Sequence, residues 1–179
     1  MIFRAIACLV LLAVGACNAP PLPERHARVT LKKKGYPEET ISKVGRKPLE
    51  RELVHELAAS KDWNVRHLIA ANRSLDNADL DLLIADREPY VRAGVAINPR
   101  ISRSQMEVLF NDPSVTVTSA LASNRAIPQA MLFRLYRSGK GSLKSVAMNR
   151  NCPGSILEEI AKKGDSSARL TVGIHPNAS

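Results

Sequence analysis

The chain has 179 residues, 45% of them hydrophobic but only 4% aromatic, and a formal charge of +9. That length gives room for one ordinary domain whose core is built of Leu, Ile, Val and Ala. The cysteines are Cys8, Cys17 and Cys152.

In chain order, "MIFRAIACLVLLAVGAC" comes first, with one charge at Arg4, an apolar run through Val14, and the small residues Gly15 and Ala16 before Cys17. This pattern predicts a secretory signal, since the apolar run is too short to span a bilayer. The residues "VGAC" resemble the lipobox of bacterial lipoproteins. That resemblance implies loss of residues 1–16 and a diacylglyceryl group on the sulfur of Cys17. If Cys8 is lost with the signal peptide and Cys17 is acylated, no disulfide is available. Several acyl chains on one residue would hold the protein on a membrane where one alone is marginal. An ordinary cleaved signal with a free Cys17 thiol is the alternative. By the sorting rule of Gram-negative lipoproteins, Asn18 favours the outer membrane and its periplasmic face.

Residues 17–48 are read as the lipidated N-terminus and a tether, extended by Pro20, Pro21 and Pro23. Between Asn18 and Pro48 stand eight basic residues against three acids. Such an excess beside an anchor fits contact with anionic headgroups, worth about 1 kcal/mol per Lys or Arg, or else a solvated linker.

Residues 49–179 are read as a repeat domain, opened by a helix near 49–59 that carries Val54 and Leu57. Aligned on asparagine, the repeats place Asn72, Asn98, Asn124, Asn149 and then His175 at steps of 26, 26, 25 and 26. A fixed period in this range marks stacked supersecondary units. Three residues before these positions lie Ile69, Val95, Leu121, Val146 and Val172, and two before lie Ala70, Ala96, Ala122, Ala147 and Gly173. One large and one small residue per unit suit close packing of successive helices. Pro99 and Pro176 end the helix at the asparagine position, and the side chain there is expected to satisfy main-chain groups of the adjoining turn. Leu75, Ile101, Ile127 and Cys152 follow, with Pro128 and Pro153 as first residues of a second helix. Its Leu80, Met106, Leu132 and Leu157 share a face with Leu83, Leu109, Leu135 and Ile160.

The stretch "YVRAGVAINPRISRSQMEVLFND" resembles the leucine-rich repeat variant, whose pattern runs Val-Arg, apolar-Ala, Asn-Pro and then a Leu-rich helix ending in Asp. The resemblance covers about residues 50 to 176. It implies an all-α fold, a right-handed α-solenoid of about five 26-residue repeats in which α-helices alternate with shorter, tighter helical pieces. Armadillo or HEAT-like stacking is the runner-up, with longer repeats. The chain departs from the pattern at Thr118 and Leu143, where arginine would stand, and at Arg73, Arg125 and Arg150, where proline would.

Candidate chemistry is sparse. Cys152 shares its column with Leu75, Ile101 and Ile127, so it reads as a small buried hydrophobe. The extra cysteine cluster that holds an iron-sulfur centre in the founding member of the resembled family has no counterpart, so no cofactor is expected. His26, His55, His67 and His175 are dispersed without metal-binding spacing, and no catalytic residue is assigned. "SGKGS", Ser138 to Ser142, is too short for a phosphate loop and falls where a turn is needed. Two arginine columns remain. Arg66, Arg92 and Arg169 form one, a candidate partner-binding stripe, or else, with the neighbouring acids Asp62, Asp86, Glu88 and Asp165, a tie between repeats. Arg73, Arg125 and Arg150 form the other, a candidate partner-binding stripe.

The expected function is that of a membrane-anchored periplasmic lipoprotein, a non-catalytic interaction scaffold for an envelope or secreted protein. It would serve as a secretion or envelope-assembly accessory or as a toxin-neutralising immunity protein. An envelope hydrolase, or a binder of anionic lipid or polysaccharide, is the alternative. Nucleic acid is disfavoured because the periplasm lacks it.

Overall fold

The computed structural model describes residues 23–45 and 47–177; residues 1–22, including the signal, the lipobox and Cys17, lie outside them. Among the described residues the chain is all-helical. Its elements are α1 (Pro23–Lys33), α2 (Glu38–Lys43), α3 (Arg51–Ala58), α4 (Trp63–Ala70), α5 (Asn77–Ile84), α6 (Pro89–Ala96), α7 (Arg103–Phe110), α8 (Val115–Ala122), α9 (Gln129–Arg137), α10 (Leu143–Met148), α11 (Gly154–Lys163) and α12 (Ser166–Gly173).

From α3 onward the helices form two series. In the first, α4, α6, α8, α10 and α12 each pack on the next member; in the second, α3 packs on α5 and α5 on α7. The two series also pack on each other, as α3 does on α4 and α11 on α12. Helices this short are marginal alone, so they persist through an apolar face buried against neighbours. That face is the set of repeat columns: Ile69, Val95, Leu121 and Val146 from the first series, Leu80, Leu83, Leu109, Leu132, Leu135 and Ile160 from the second, and Leu75, Ile127 and Cys152 from the turns between. They join one apolar cluster running from Ala27 to Val172.

Local signals set the ends. Asp62, Ser142 and Asp165 cap α4, α10 and α12, accepting from Asn64, Ser145 and Ala168 main-chain nitrogens. Asp76 with Asp79, and Ser102 with Gln105, close capping boxes at α5 and α7. Pro128 and Pro153 are N-caps in extended backbone, so the second-series helices begin one residue later than the sequence pattern places them. Among the described residues the shorter, tighter pieces implied by the family resemblance are not seen: both series are α-helical, with repeat helices of six to ten residues.

The largest departure concerns the tether. From Pro23 the basic segment is folded: α1 buries Ala27 and Leu31, α2 buries Ile41, Val44 follows, and α1 packs along α4. Thr30 Oγ1 donates to Asp62 Oδ2 at 2.6 Å, fixing α1 to the start of α4. Basic composition hid this inward face, because Lys32, Lys33 and Lys34 lie exposed beside a buried one.

Close approach within the first series turns on one position. A Cβ added to Gly94 on α6 would lie 2.8 Å from Ala70 Cβ on α4, an atom fixed to its own backbone, whereas one added to Gly173 on α12 would meet nothing within 4 Å. Gly94→Val should therefore cost about 1 to 3 kcal/mol through overpacking. Gly173→Ala, at an open site, should stay within about 0.5 kcal/mol of wild type. Urea denaturation of the two variants checks the contrast, and equal effects would mean that α4 and α6 are not in this register.

Candidate functional site

The turns of the repeats gather on two edges with different chemistry. On one edge the first-series helices end and the second-series helices begin, and each such turn holds one of the aligned asparagines. The side chain is buried and bonds in two directions. Asn98 Nδ2 donates to Ala70 O and Asn72 O, both at 2.9 Å, in the preceding repeat, while its Oδ1 accepts from Arg100 N at 3.0 Å in its own turn. Asn124 repeats this with Ala96 O, Asn98 O and Ala126 N, and Asn149 with Ala122 O, Asn124 O and Asn151 N. Asn72 donates to Lys47 O, in the segment ahead of α3, and accepts from Ser74 N. A helix leaves its last carbonyls open, and here the amide of the next repeat fills them.

His175 takes the same place with an imidazole. Its Nδ1 accepts from Asn177 N at 3.0 Å, which puts the ring proton on Nε2, and Nε2 donates to Asn149 O at 2.9 Å. It thus reaches one carbonyl of the preceding repeat where Asn98, Asn124 and Asn149 each reach two. The acceptor half of this pattern follows the sequence expectation of a bond within the adjoining turn. The donor half crosses to the preceding repeat, and nothing in a single asparagine signalled that.

On the opposite edge, where the second series ends and the first begins, Arg66 and Arg92 are consumed internally. Arg92 pairs with both carboxylate oxygens of Asp112, Nε to Oδ2 at 2.6 Å and Nη2 to Oδ1 at 3.0 Å, and its Nη1 donates to Asp86 O and Arg87 O. Arg66 does the same with Asp86, Ser60 O and Lys61 O. Each arginine therefore clamps the turn before its own helix to the acid of the turn after it. Both carboxylates accept a further main-chain N–H, Asp86 from Glu88 and Asp112 from Ser114. Burial pushes the Asp86 carboxyl up, but the Arg66 guanidinium and the Glu88 N–H outweigh it and hold it below the usual aspartate range. Arg169 pairs with no acid among the described residues: it donates to Gly164 O and Ser166 Oγ. Asp112, the partner of Arg92, was missed by reading only the acids nearest the arginines.

Where Thr118 replaces this arginine, Ser138 replaces the acid twenty residues on, so the pair is lost as a unit. The hydroxyl of Thr118 turns back to Ser114 O and Val115 O of its own helix. The turn Ser138 to Ser142 takes over, with Gly139 and Gly141 at φ +67° and +78°, a conformation that disfavours side chains. Lys140 Nζ reaches back from it to Phe110 O at 3.2 Å and lies 4.6 Å above the Phe110 ring.

The remaining arginine column is arranged differently. Arg73, Arg125 and Arg150 lie exposed on the asparagine edge, and their guanidinium groups make no hydrogen bond or ion pair with another described residue. Their backbones are nonetheless held: Arg73 O accepts from Arg100 Nη1 at 2.9 Å, Arg125 O from Asn151 Nδ2 at 3.1 Å, and Arg150 O from Asn177 Nδ2 at 3.0 Å. Such a residue is presented from a fixed base with its charge uncommitted.

Cys152 is fully buried, and burial pushes its thiol up to about 11, away from nucleophilic chemistry. Burial also lowers the His67 imidazole, whose Nδ1 lies 2.7 Å from Tyr90 O. Among the described residues there is no cluster of three or more His, Cys, Asp and Glu suited to a metal, no helix long and apolar enough to cross a membrane, and no buried side-chain nitrogen or oxygen without a partner. Compared with protein-family models, curated proteins and solved structures, the chain finds no match.

Proposed function

We propose that this protein is a lipid-anchored periplasmic scaffold of the bacterial envelope, a right-handed α-solenoid of leucine-rich repeat variant type that binds another envelope or secreted protein without catalysing a reaction. The observation that carries the reading is the contrast between the arginine columns. Arg66 and Arg92 spend their charge inside the fold, while Arg73, Arg125 and Arg150 have fixed backbones and uncommitted guanidinium groups. Stacked helical units of this kind offer extended surfaces that need no catalytic cleft. The secretory pattern and "VGAC" support the anchor at Cys17.

Cys17→Ser should release the protein from membranes and abolish incorporation of radioactive palmitate, measured with membrane fractionation. A Cys17→Ser protein that remains acylated would remove the lipoprotein reading. Crosslinked capture from the native envelope, with mass spectrometry, tests the scaffold reading directly: an interaction scaffold returns a partner, and capture of none counts against it.

A further inference from the structure

Charge and apolar surface coincide on the asparagine edge. From Ile97 on, its turns at residues 97–103, 123–129 and 148–154 carry Arg100, Arg103, Arg125 and Arg150 and not one Asp or Glu. The turns of the opposite edge, 85–88, 111–114, 138–142 and 164–165, carry Asp86, Glu88, Asp112 and Asp165 against Arg87 and Lys140. In the position just before the aligned asparagine or histidine, the asparagine edge also exposes Ile97, Met148 and Ile174, at 40%, 39% and 82%. Met148 stands two residues from Arg150, so exposed apolar and cationic residues share the turns of this edge.

We infer that this edge binds an acidic polypeptide segment bearing apolar side chains, its carboxylates on Arg73, Arg125 and Arg150 and its apolar groups on Ile97, Met148 and Ile174. The inference rests on the reading of the protein as an interaction scaffold and names the face and the partner's chemistry. Packed helices lie roughly 8 to 10 Å apart and an extended chain advances about 3.3 Å per residue, so one repeat matches about three residues of the partner. The line from Arg73 to Ile174 then accommodates about twelve residues with an acid near every third position. Guanidinium groups pair bidentately with carboxylates, and a pre-held backbone lowers the ordering cost of that pairing. A purely anionic ligand, a polysaccharide or a headgroup layer, answers the arginines but leaves the apolar column unmatched.

The test uses the full chain purified in detergent and a labelled twelve-residue peptide with Glu at every third position and Leu between, followed by fluorescence anisotropy. Wild type should bind it, more weakly as salt rises, and should not bind the peptide with Gln in place of Glu. The double variant Arg125→Glu/Arg150→Glu and the single variant Met148→Asp should each lose at least about tenfold in affinity, a loss of 1.4 kcal/mol or more. Arg87→Glu, on the opposite edge, should bind as wild type. Because these side chains are exposed and the two arginine guanidinium groups are unpaired, melting midpoints should stay close to wild type. The inference is overturned if both edge variants bind normally. It is equally overturned if Met148→Asp has no effect while anionic vesicles compete fully, since the edge would then be a general polyanion surface. A native partner still crosslinked to these variants would remove this edge but leave the scaffold reading. Peptide binding that depends on these residues, with no partner captured by wild type, would do the reverse.

Discussion

Replacing Asn98 by alanine is expected to destabilise the protein by roughly 2 to 4 kcal/mol, because it removes two donors and one acceptor at a site with no exposed surface. The carbonyl of Ala70 would lose the amide it accepts from, and that of Asn72 would keep only the long bond from Leu75 N. Asn98→Asp is expected to be at least as damaging. It keeps the bond to Arg100 N but sets a carboxylate against two carbonyls at the negative end of α4. His175→Asn should act oppositely, since an amide can reach a second carbonyl that the ring does not, with a gain of up to about 1 kcal/mol. Urea or guanidinium unfolding of the three variants checks the order. Unchanged stability in Asn98→Ala would mean that the ladder of amides does not bind the repeats together.

The second large effect lies on the other edge. Asp112→Ala should cost about 3 kcal/mol, since Arg92, with 15% of its side chain exposed, would keep its charge and lose its carboxylate. Arg92→Ala should cost a similar amount. In the next repeat both members are replaced together, by Thr118 and Ser138, whose hydroxyls bond locally and not to each other, so Arg92→Thr/Asp112→Ser, which leaves no unpaired charge, should be less damaging than Asp112→Ala. A double-mutant cycle is expected to give a coupling of about 2 kcal/mol or more. Additive losses would assign the arginine's contribution to its bonds with Asp86 O and Arg87 O instead.

Much of the helical arrangement was legible because five copies of one pattern average out local ambiguity. Ile69, Val95, Leu121 and Val146 could each be read several ways alone, but their recurrence beside Ala70, Ala96, Ala122 and Ala147 singled out a buried contact, and all eight are buried. Where the chain lacks the repeat, reading failed. Ala27 with Leu31, and Ile41 with Val44, are spaced for a helix face, yet the lysines and prolines around them outweighed two short signals. The partner of a long side chain was equally hard to read. Arg92 was matched to acids near it in sequence, whereas its bidentate partner is Asp112, brought close by the packing of α8 on α6. The exposed, uncommitted state of Arg73, Arg125 and Arg150 was visible only as a departure from proline.

The two edges also differ in how they tolerate changes of length. Every asparagine stands four residues ahead of the following N-cap: Asn72 and Asp76, Asn98 and Ser102, Asn124 and Pro128, Asn149 and Pro153. Its amide must meet the previous turn while its carbonyl oxygen meets the residue two places on, and an extra residue would break one of the two. On the opposite edge four residues separate the helices after Ala58, Ile84 and Phe110, but five after Arg137 and two after Lys163. The step of 25 in place of 26 falls in α10, which has six residues where α8 has eight, while the turn ahead of it is one residue longer and Asn149 keeps its amide bonds. Insertions, whether natural or an engineered tag, are therefore better placed on the opposite edge, for instance at the exposed Ser138–Gly139 junction.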